Sequence, residues 1–474
     1  MAIIEEVPDE PSPPRQEDEP MIEDVTDGAA STSTLLVEPV CASSGPELAA
    51  TLKALSARLA LPDDLLPSYL NDTNPALADE YRAHAEPLLR HIHAGTEHPL
   101  WPTLALAEQA AVLSDVVRLH GVDAWTSPAL VSFVDAIAAT TNQPEVAEHV
   151  LANTLRPLFS AHPLLSGEAR ARARPHGGDG AMSDLHEAQA FKSAQGWGSH
   201  NALRWAAAAL PPSLLDRKLG LVLPPTLVLM DDWEPAWRDR GAWVLSGWVG
   251  ALPPDELRRR GLDALFVKSL THSLSLHSAP LPHVLPVTLA LVAHLEGKKQ
   301  ADAYADIVDK ALVSGWAYAP SGAEGRAVLI NIANTLETLC GVLGTGIARW
   351  LKSIVPALLE PLQYSPSAGQ LAHFEANAHA LLTLLRTLRG TGRVARWRGQ
   401  ILDILSRLWV QIRERDFGFD GGDAVASSLR IQALVRDVFA EVEAEVPSVR
   451  STEFASLLSL NSTVFAPLVA PAGA

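Results

Sequence analysis

A stack of helical hairpins, all α and without a β-rich block, is the fold class this sequence predicts, and three observations predict it. The first is composition: 47% of the 474 residues are hydrophobic, and most of these are Leu and Ala, which sit well in helices. The second is period: Leu48, Leu52, Leu55 and Leu59 recur at steps of four, three and four, which places them on one face of a helix. The third is punctuation: from Asn201 onward, apolar runs a few turns long alternate with Pro- or Gly-rich breaks such as Pro253-Pro254 and Gly322 to Gly325. A chain of this length exceeds what one compact core usually holds. Stacked hairpins accommodate it, because each repeat needs to bury only its faces against its neighbours.

The elements follow in order. Residues 1–46 are rich in Pro, Glu, Asp, Ser and Thr, too poor in apolar surface to offset ordering, and read as a disordered acidic tail. Residues 47–165 form an N-terminal helical region. After the Leu48 face, a second face runs through Leu104, Val112, Leu113, Val116 and Val117, and a third through Leu130, Val131, Val134 and Ile137 behind Pro128. Residues 166–200 contain ARARARPHGGDGAMSD and read as a long loop. Residues 201–460 carry the repeats, and 461–474 read as a flexible C-terminus.

The most informative stretch is LVLPPTLVLMDDWEPAWRDRGAWVLSGWVG, residues 221–250. Pro225 is expected in the first turn of a short apolar helix ending at Met230, where its missing N–H costs nothing. Asp231 and Asp232 end that helix as turn caps. Pro235 opens the next one, with Arg238 a turn beyond Glu234. Gly241 gives up its side chain so that a neighbouring helix can approach. Pro224, Pro225, Asp231, Asp232, Pro235, Arg238 and Gly241 in this order follow the turn grammar of a HEAT/armadillo-like helical-repeat solenoid. An acidic pair can also serve a metal or acid–base chemistry, but with no His or third carboxylate nearby the cap is the better reading.

Composition also bounds the function. A net charge of −18 and a pI near 5.3 repel nucleic acid and anionic membranes, so neither is expected as a direct partner. No uninterrupted apolar run reaches the ~18 residues of a membrane span, and the N-terminus lacks a signal-peptide pattern. Two cysteines, Cys41 and Cys340, make no disulfide framework and no multi-cysteine zinc site, and suit a reducing compartment. Asn71-Asp-Thr and Asn461-Ser-Thr read as chance glycosylation triplets.

Several strings imitate chemistry. Gly390-Thr-Gly-Arg-Val-Ala395 matches a degenerate dinucleotide fingerprint but follows a helical run instead of a strand. Asp416-Phe417-Gly418 spells a kinase motif without its companion loops. His84, His91, His93 and His98 lack Cys or carboxylate partners at ligand spacing. Arg386, Arg389, Arg393, Arg396 and Arg398 cluster near Trp397: either helix ends carrying cations at their negative pole or a docking patch for an acidic segment. Trp233, at a turn tip, is the better aromatic interface candidate. No catalytic residue, cofactor or metal site is expected.

The string LPPTLVLMDDWEPAWRDRG resembles the core motif of the Tti-two family, the Tel-two-interacting subunits of a cochaperone. Leu339 to Leu362 is similar to the family's Gly-rich turn, aromatic-Leu-Lys and Pro-containing helix. Gln195-Gly196-Trp197 with Ala202 to Trp205, and Arg396-Trp397 to Trp409, add weaker matches. Trp233 stands where Tyr is more usual, and the N-terminal region carries no family motif by eye. The resemblance implies a non-enzymatic scaffold, cytoplasmic and nuclear. Its implied partners are Tti-one and Tel-two and, indirectly, the ninety-kilodalton heat-shock chaperone and the phosphatidylinositol-3-kinase-related kinases. DNA-damage signalling and telomere maintenance would then depend on it. The alternative is a HEAT-repeat adaptor of nuclear transport or vesicle trafficking.

Overall fold

The computed structural model describes residues 42–65, 74–160, 190–276 and 281–470. Among these residues every regular element is helical and no strand occurs. The predicted acidic tail as far as residue 41, the predicted loop as far as residue 189, Cys41 and Asn71 lie outside them.

The first helices are α1 (Gly45–Ala57), α2 (Pro75–Thr96), α3 (Leu106–Val116) and α4 (Pro128–Ala139). Their starts are chemically marked. The Asn74 side chain accepts the Ala76 N–H at 3.0 Å ahead of Pro75, and Ser127 accepts the Leu130 N–H at 3.3 Å ahead of Pro128. Each oxygen satisfies an orphan donor of the first turn, and each proline sits where no N–H is needed. Helix α5 (Gln143–His149) continues through a π-helical turn, Val150–Leu155, into Arg156–Ser160. Then follow α6 (Ser199–Ala209), α7 (Pro212–Met230), α8 (Pro235–Trp248), α9 (Pro254–Arg259), α10 (Leu262–Leu274), α11 (Val284–Ala293) and α12 (Gly297–Val308). The last six are α13 (Gly322–Leu343), α14 (Leu351–Leu362), α15 (Leu371–Thr387), α16 (Arg398–Glu414), α17 (Gly422–Glu445) and α18 (Glu453–Val469).

Packing runs between alternate helices. Helices α13, α15 and α17 line up in one layer and α14, α16 and α18 in the other, while sequential pairs α14–α15, α16–α17 and α17–α18 bridge the layers. Near the N-terminus α1 packs on α3 and α2 on α4 in the same way. This is an all-α solenoid of two layers. Its side chains fill two cores. The first runs from Leu48 to Leu291 and the second from Leu285 to Val469. Helix α11 belongs to both: Val284, Val287 and Leu291 face the first core, and Leu285, Leu289 and Val292 the second. The N-terminal helices therefore share a core with α6 to α8, across the predicted loop.

Three local features differ from the sequence reading. Pro224 and Pro225 do not open a short helix; both lie inside α7, which starts at Pro212. Val222, Val228 and Leu229 around them are buried, so packing favours continuing the helix. The two carbonyls left without N–H partners belong to exposed Gly220 and half-buried Leu221, within reach of water. The C-terminus is helical to Val469, across a break at Asn461 (φ −160°, ψ 98°). The Asn461 Oδ1 accepts the Val464 N–H at 3.1 Å, capping the resumed helix. Finally, residues 325–362 form a helical run that includes an 18-residue stretch of mean hydropathy 1.4, long and apolar enough by composition to cross a membrane. Ile332, Leu336, Leu339, Ile354 and Leu358 spend that apolar character on the second core, while Asn334 and Thr338 face outward.

Candidate functional site at the Asp232 turn

The turn between α7 and α8 is built from neighbouring residues. Asp232 Oδ1 accepts the Glu234 N–H at 2.9 Å, and Pro235 begins α8. The Arg238 Nη1 reaches back and donates to the carbonyls of Asp232 at 2.9 Å and Trp233 at 2.7 Å. Burial lowers the Arg238 pKa, and the charge of the Asp232 carboxylate offsets this in part. Asp232 also pairs with Lys192 Nζ at 2.8 Å, and Glu234 with the same nitrogen at 2.6 Å. The ammonium lies 5.4 to 5.7 Å from the ring centroids of Phe191, Trp233 and Trp237, in cation–π range. Trp233 is 74% exposed and Asp231 is exposed. Among the described residues no group of three or more His, Cys, Asp or Glu is arranged to hold a metal ion.

The two aspartates therefore differ in weight. Asp232→Ala removes the turn acceptor of the Glu234 N–H and leaves the largely buried Lys192 with one carboxylate, and costs about 2 kcal/mol. Asp231→Ala stays within about 0.5 kcal/mol. Urea unfolding midpoints of the two variants check the contrast.

Behind the turn, Gly241 lets α8 lie directly on α7. A Cβ there would sit 2.5 Å from the Met230 nitrogen and 2.8 Å from the Leu229 carbonyl carbon. One turn away begins a buried polar network. Asp123, fully buried, accepts from Arg240 Nη2 at 2.8 Å, Asn201 Nδ2 at 2.7 Å and His200 Nε2 at 3.1 Å. Burial pushes the Asp123 carboxyl up, but the His200 imidazole, Arg240 guanidinium and Asn201 amide outweigh it and hold the pKa at about 2. Arg118 extends the network, donating to the carbonyls of Gln195 at 2.8 Å and Trp197 at 2.9 Å. Its guanidinium lies over the Trp197 ring, which meets Trp125 edge-on. Three segments, 118–125, 192–201 and 232–241, thus form one body.

The C-terminal cluster is arranged differently. Arg386 and Arg389 share the Glu441 carboxylate, and Arg398 pairs with Glu453 at 2.9 Å. Arg393 and Arg396 are exposed; Arg396 covers the ring of half-buried Trp397. Gly390 and Gly392, both at positive φ, aim their N–H groups at Glu445 at 2.6 and 2.7 Å. The Gly-Thr-Gly string is thus an anion nest holding the protein's own carboxylate. Asp416 accepts the Gly418 N–H at 2.8 Å, an ordinary turn. His91 contacts the Pro87 carbonyl, His84 the Arg58 carbonyl and His98 the Leu100 N–H, and His93 packs on Phe133.

Residues 112–367, more than half of the chain, match the sequence profile of the Tti2 family. The chain belongs to the Tti-two family. No curated protein sequence matches it. The matched span of this Tti-two family chain takes in the Asp232 turn, the Asp123 network and the Leu339 to Leu362 stretch, and begins well before Gln195. It ends before Arg389, Arg393, Arg396, Trp397 and Trp409, so the fourth resemblance lies outside it. Sequence reasoning missed Arg118, Asp123, Lys192, His200, Asn201 and Arg240. For Asp123, His200 and Asn201 the signal available was polar residues embedded among aromatics in HGVDAWT and GWGSHNALRW; Arg118, Lys192 and Arg240 lie outside both strings.

Proposed function

We propose that this chain is a non-enzymatic scaffold subunit of a cochaperone complex with Tti-one and Tel-two homologues, supporting maturation and stability of phosphatidylinositol-3-kinase-related kinases. The observation that carries this reading is the family match over residues 112–367. The two-layer helical stack supports it, because such stacks offer long surfaces without needing a catalytic pocket. In this reading the repeats are HEAT-like, those from residue 201 onward carry the main surface for Tti-one, and the protein works in the cytoplasm and nucleus. Trp233, Arg393 and Arg396 are contact candidates because they are exposed. Arg389 contributes less, since Glu441 already engages it.

The test is affinity purification of the tagged chain from its own cells at moderate salt, followed by mass spectrometry. Tti-one and Tel-two homologues are expected in near-equal amounts. Recovery of a transport GTPase or coat subunit in their place would overturn the reading in favour of a trafficking adaptor.

A further inference from the structure

Arg204, on α6, is held by a ring and a carbonyl and, among the described residues, has no counter-ion. Its guanidinium stacks 4.4 Å from the centroid of the Trp243 ring, and its Nε donates to the Trp243 carbonyl at 3.2 Å. Room for it is made by Gly247 on α8, where a Cβ would lie 2.6 Å from Arg204 Cγ. The other buried guanidiniums each have acceptors within the chain: Arg118 the carbonyls of Gln195 and Trp197, Arg238 those of Asp232 and Trp233, and Arg240 the Asp123 carboxylate. Among the described residues no carboxylate lies within ion-pair distance of Arg204. A half-buried cation without a counter-charge is costly to a fold, and in a chain of net charge −18 an internal acid was not short in supply.

The guanidinium opens onto a cleft of about 520 Å³ lined also by His120, Val122, Thr126, Ser127 and Trp243. The acids near it are spoken for. Asp123 is fully buried against His200, Asn201 and Arg240, and Asp135 pairs with His120 Nε2 at 3.2 Å. At the mouth, Val122 is 55% exposed. The lining mixes apolar Val122, Pro128 and Val131 and the Trp243 ring with polar His120, Thr126 and Ser127, and besides the ion-paired Asp123 its one strong charge is Arg204. A guanidinium offers paired N–H groups to a carboxylate or a phosphate, and the single cation here balances the one charge of a carboxylate and not the two of a phosphate. Arg lying on Trp at the floor of a recess is also the composition of an interface anchor.

We propose that this cleft is a docking site in which Arg204 receives an Asp or Glu side chain of a partner protein. The proposal rests on the scaffold reading only in requiring a protein partner. The test replaces Val122 of the full-length chain with the photo-crosslinker p-benzoylphenylalanine, irradiates the chain in its own cells, and identifies the cross-linked peptide by mass spectrometry. The expected adduct is to an acidic segment of another chain. Arg204→Glu lowers its yield about tenfold or more. Arg204→Lys, which keeps the charge but not the planar pair of donors, lowers it less. Urea midpoints accompany both variants, and should Arg204→Glu unfold, the yield with Arg204→Lys decides. No adduct on another chain, or an adduct indifferent to both substitutions, overturns the proposal. An Arg204-dependent adduct on a chain other than a Tti-one or Tel-two homologue supports the cleft and counts against the complex. An intact complex recovered with Arg204→Glu, with no Arg204-dependent adduct, sinks the cleft alone.

Discussion

Gly241→Ala destabilises the protein by about 3 kcal/mol, against the ordinary helical preference. In an unobstructed helix interior Ala is better than Gly by about 1 kcal/mol, so the sign of the change reports the packing. The added methyl meets the Met230 nitrogen and the Leu229 carbonyl carbon, which are backbone atoms of α7 and cannot rotate away. Relief requires α7 and α8 to part, loosening Val228, Leu229, Trp237 and Leu245, all buried between them. Gly220→Ala, in α7 with no atom within 4 Å of the new Cβ, is the matched control and stabilises by about 0.5 to 1 kcal/mol. Urea midpoints at unchanged slope give both numbers. Equal behaviour of the two variants would show that the helices are not in backbone contact at Gly241.

Asp123→Asn costs about 3 to 5 kcal/mol, the range seen when one side of a buried ion pair is removed. The substitution keeps the shape but removes the charge opposite Arg240. It also places an amide NH2 where His200, Asn201 and Arg240 all present donors. The pH dependence distinguishes this from simple mispacking. The folded pKa, about 2, lies below the ordinary carboxylate value. The stabilisation is therefore complete above the unfolded pKa, near 4, and is lost as pH falls from there through the folded value. Wild-type stability measured from pH 5 down to pH 2 declines more steeply than that of Asp123→Asn. Parallel profiles would mean that the carboxylate is not held ionised by its neighbours.

How much of this was legible in the sequence depended on how far apart the contacting residues lie. The Asp232 turn is written in one continuous string, so the roles of Asp232 and Pro235 follow from spacing alone, whereas Arg238, spaced to meet Glu234, donates to the carbonyls of Asp232 and Trp233. The Asp123 network joins residue 118 to residue 240, and none of its members sits in a pattern that announces the others. The Arg cluster reads as a patch because its acid partner Glu441 lies 55 residues from Arg386 and 52 from Arg389. Pro224 and Pro225 illustrate a different limit. The local preference of proline for a first turn was overruled by burial of Val222, Val228 and Leu229, which no short window reveals. Gly390 and Gly392 illustrate a third. Their string correctly marks an anion nest, but only the fold shows that Glu445 already fills it.

Helix α11 has an implication for how the solenoid carries force. With Val287 and Leu291 turned to one core and Leu289 and Val292 to the other, it is a party wall shared by both halves. A tilt imposed on α11 from the side of α8 displaces side chains of the second core, to which Val308 and Ile332 also belong. The two cores are therefore joined by shared packing and not by a bare linker. The whole of that junction is written in the packing of about three turns of helix.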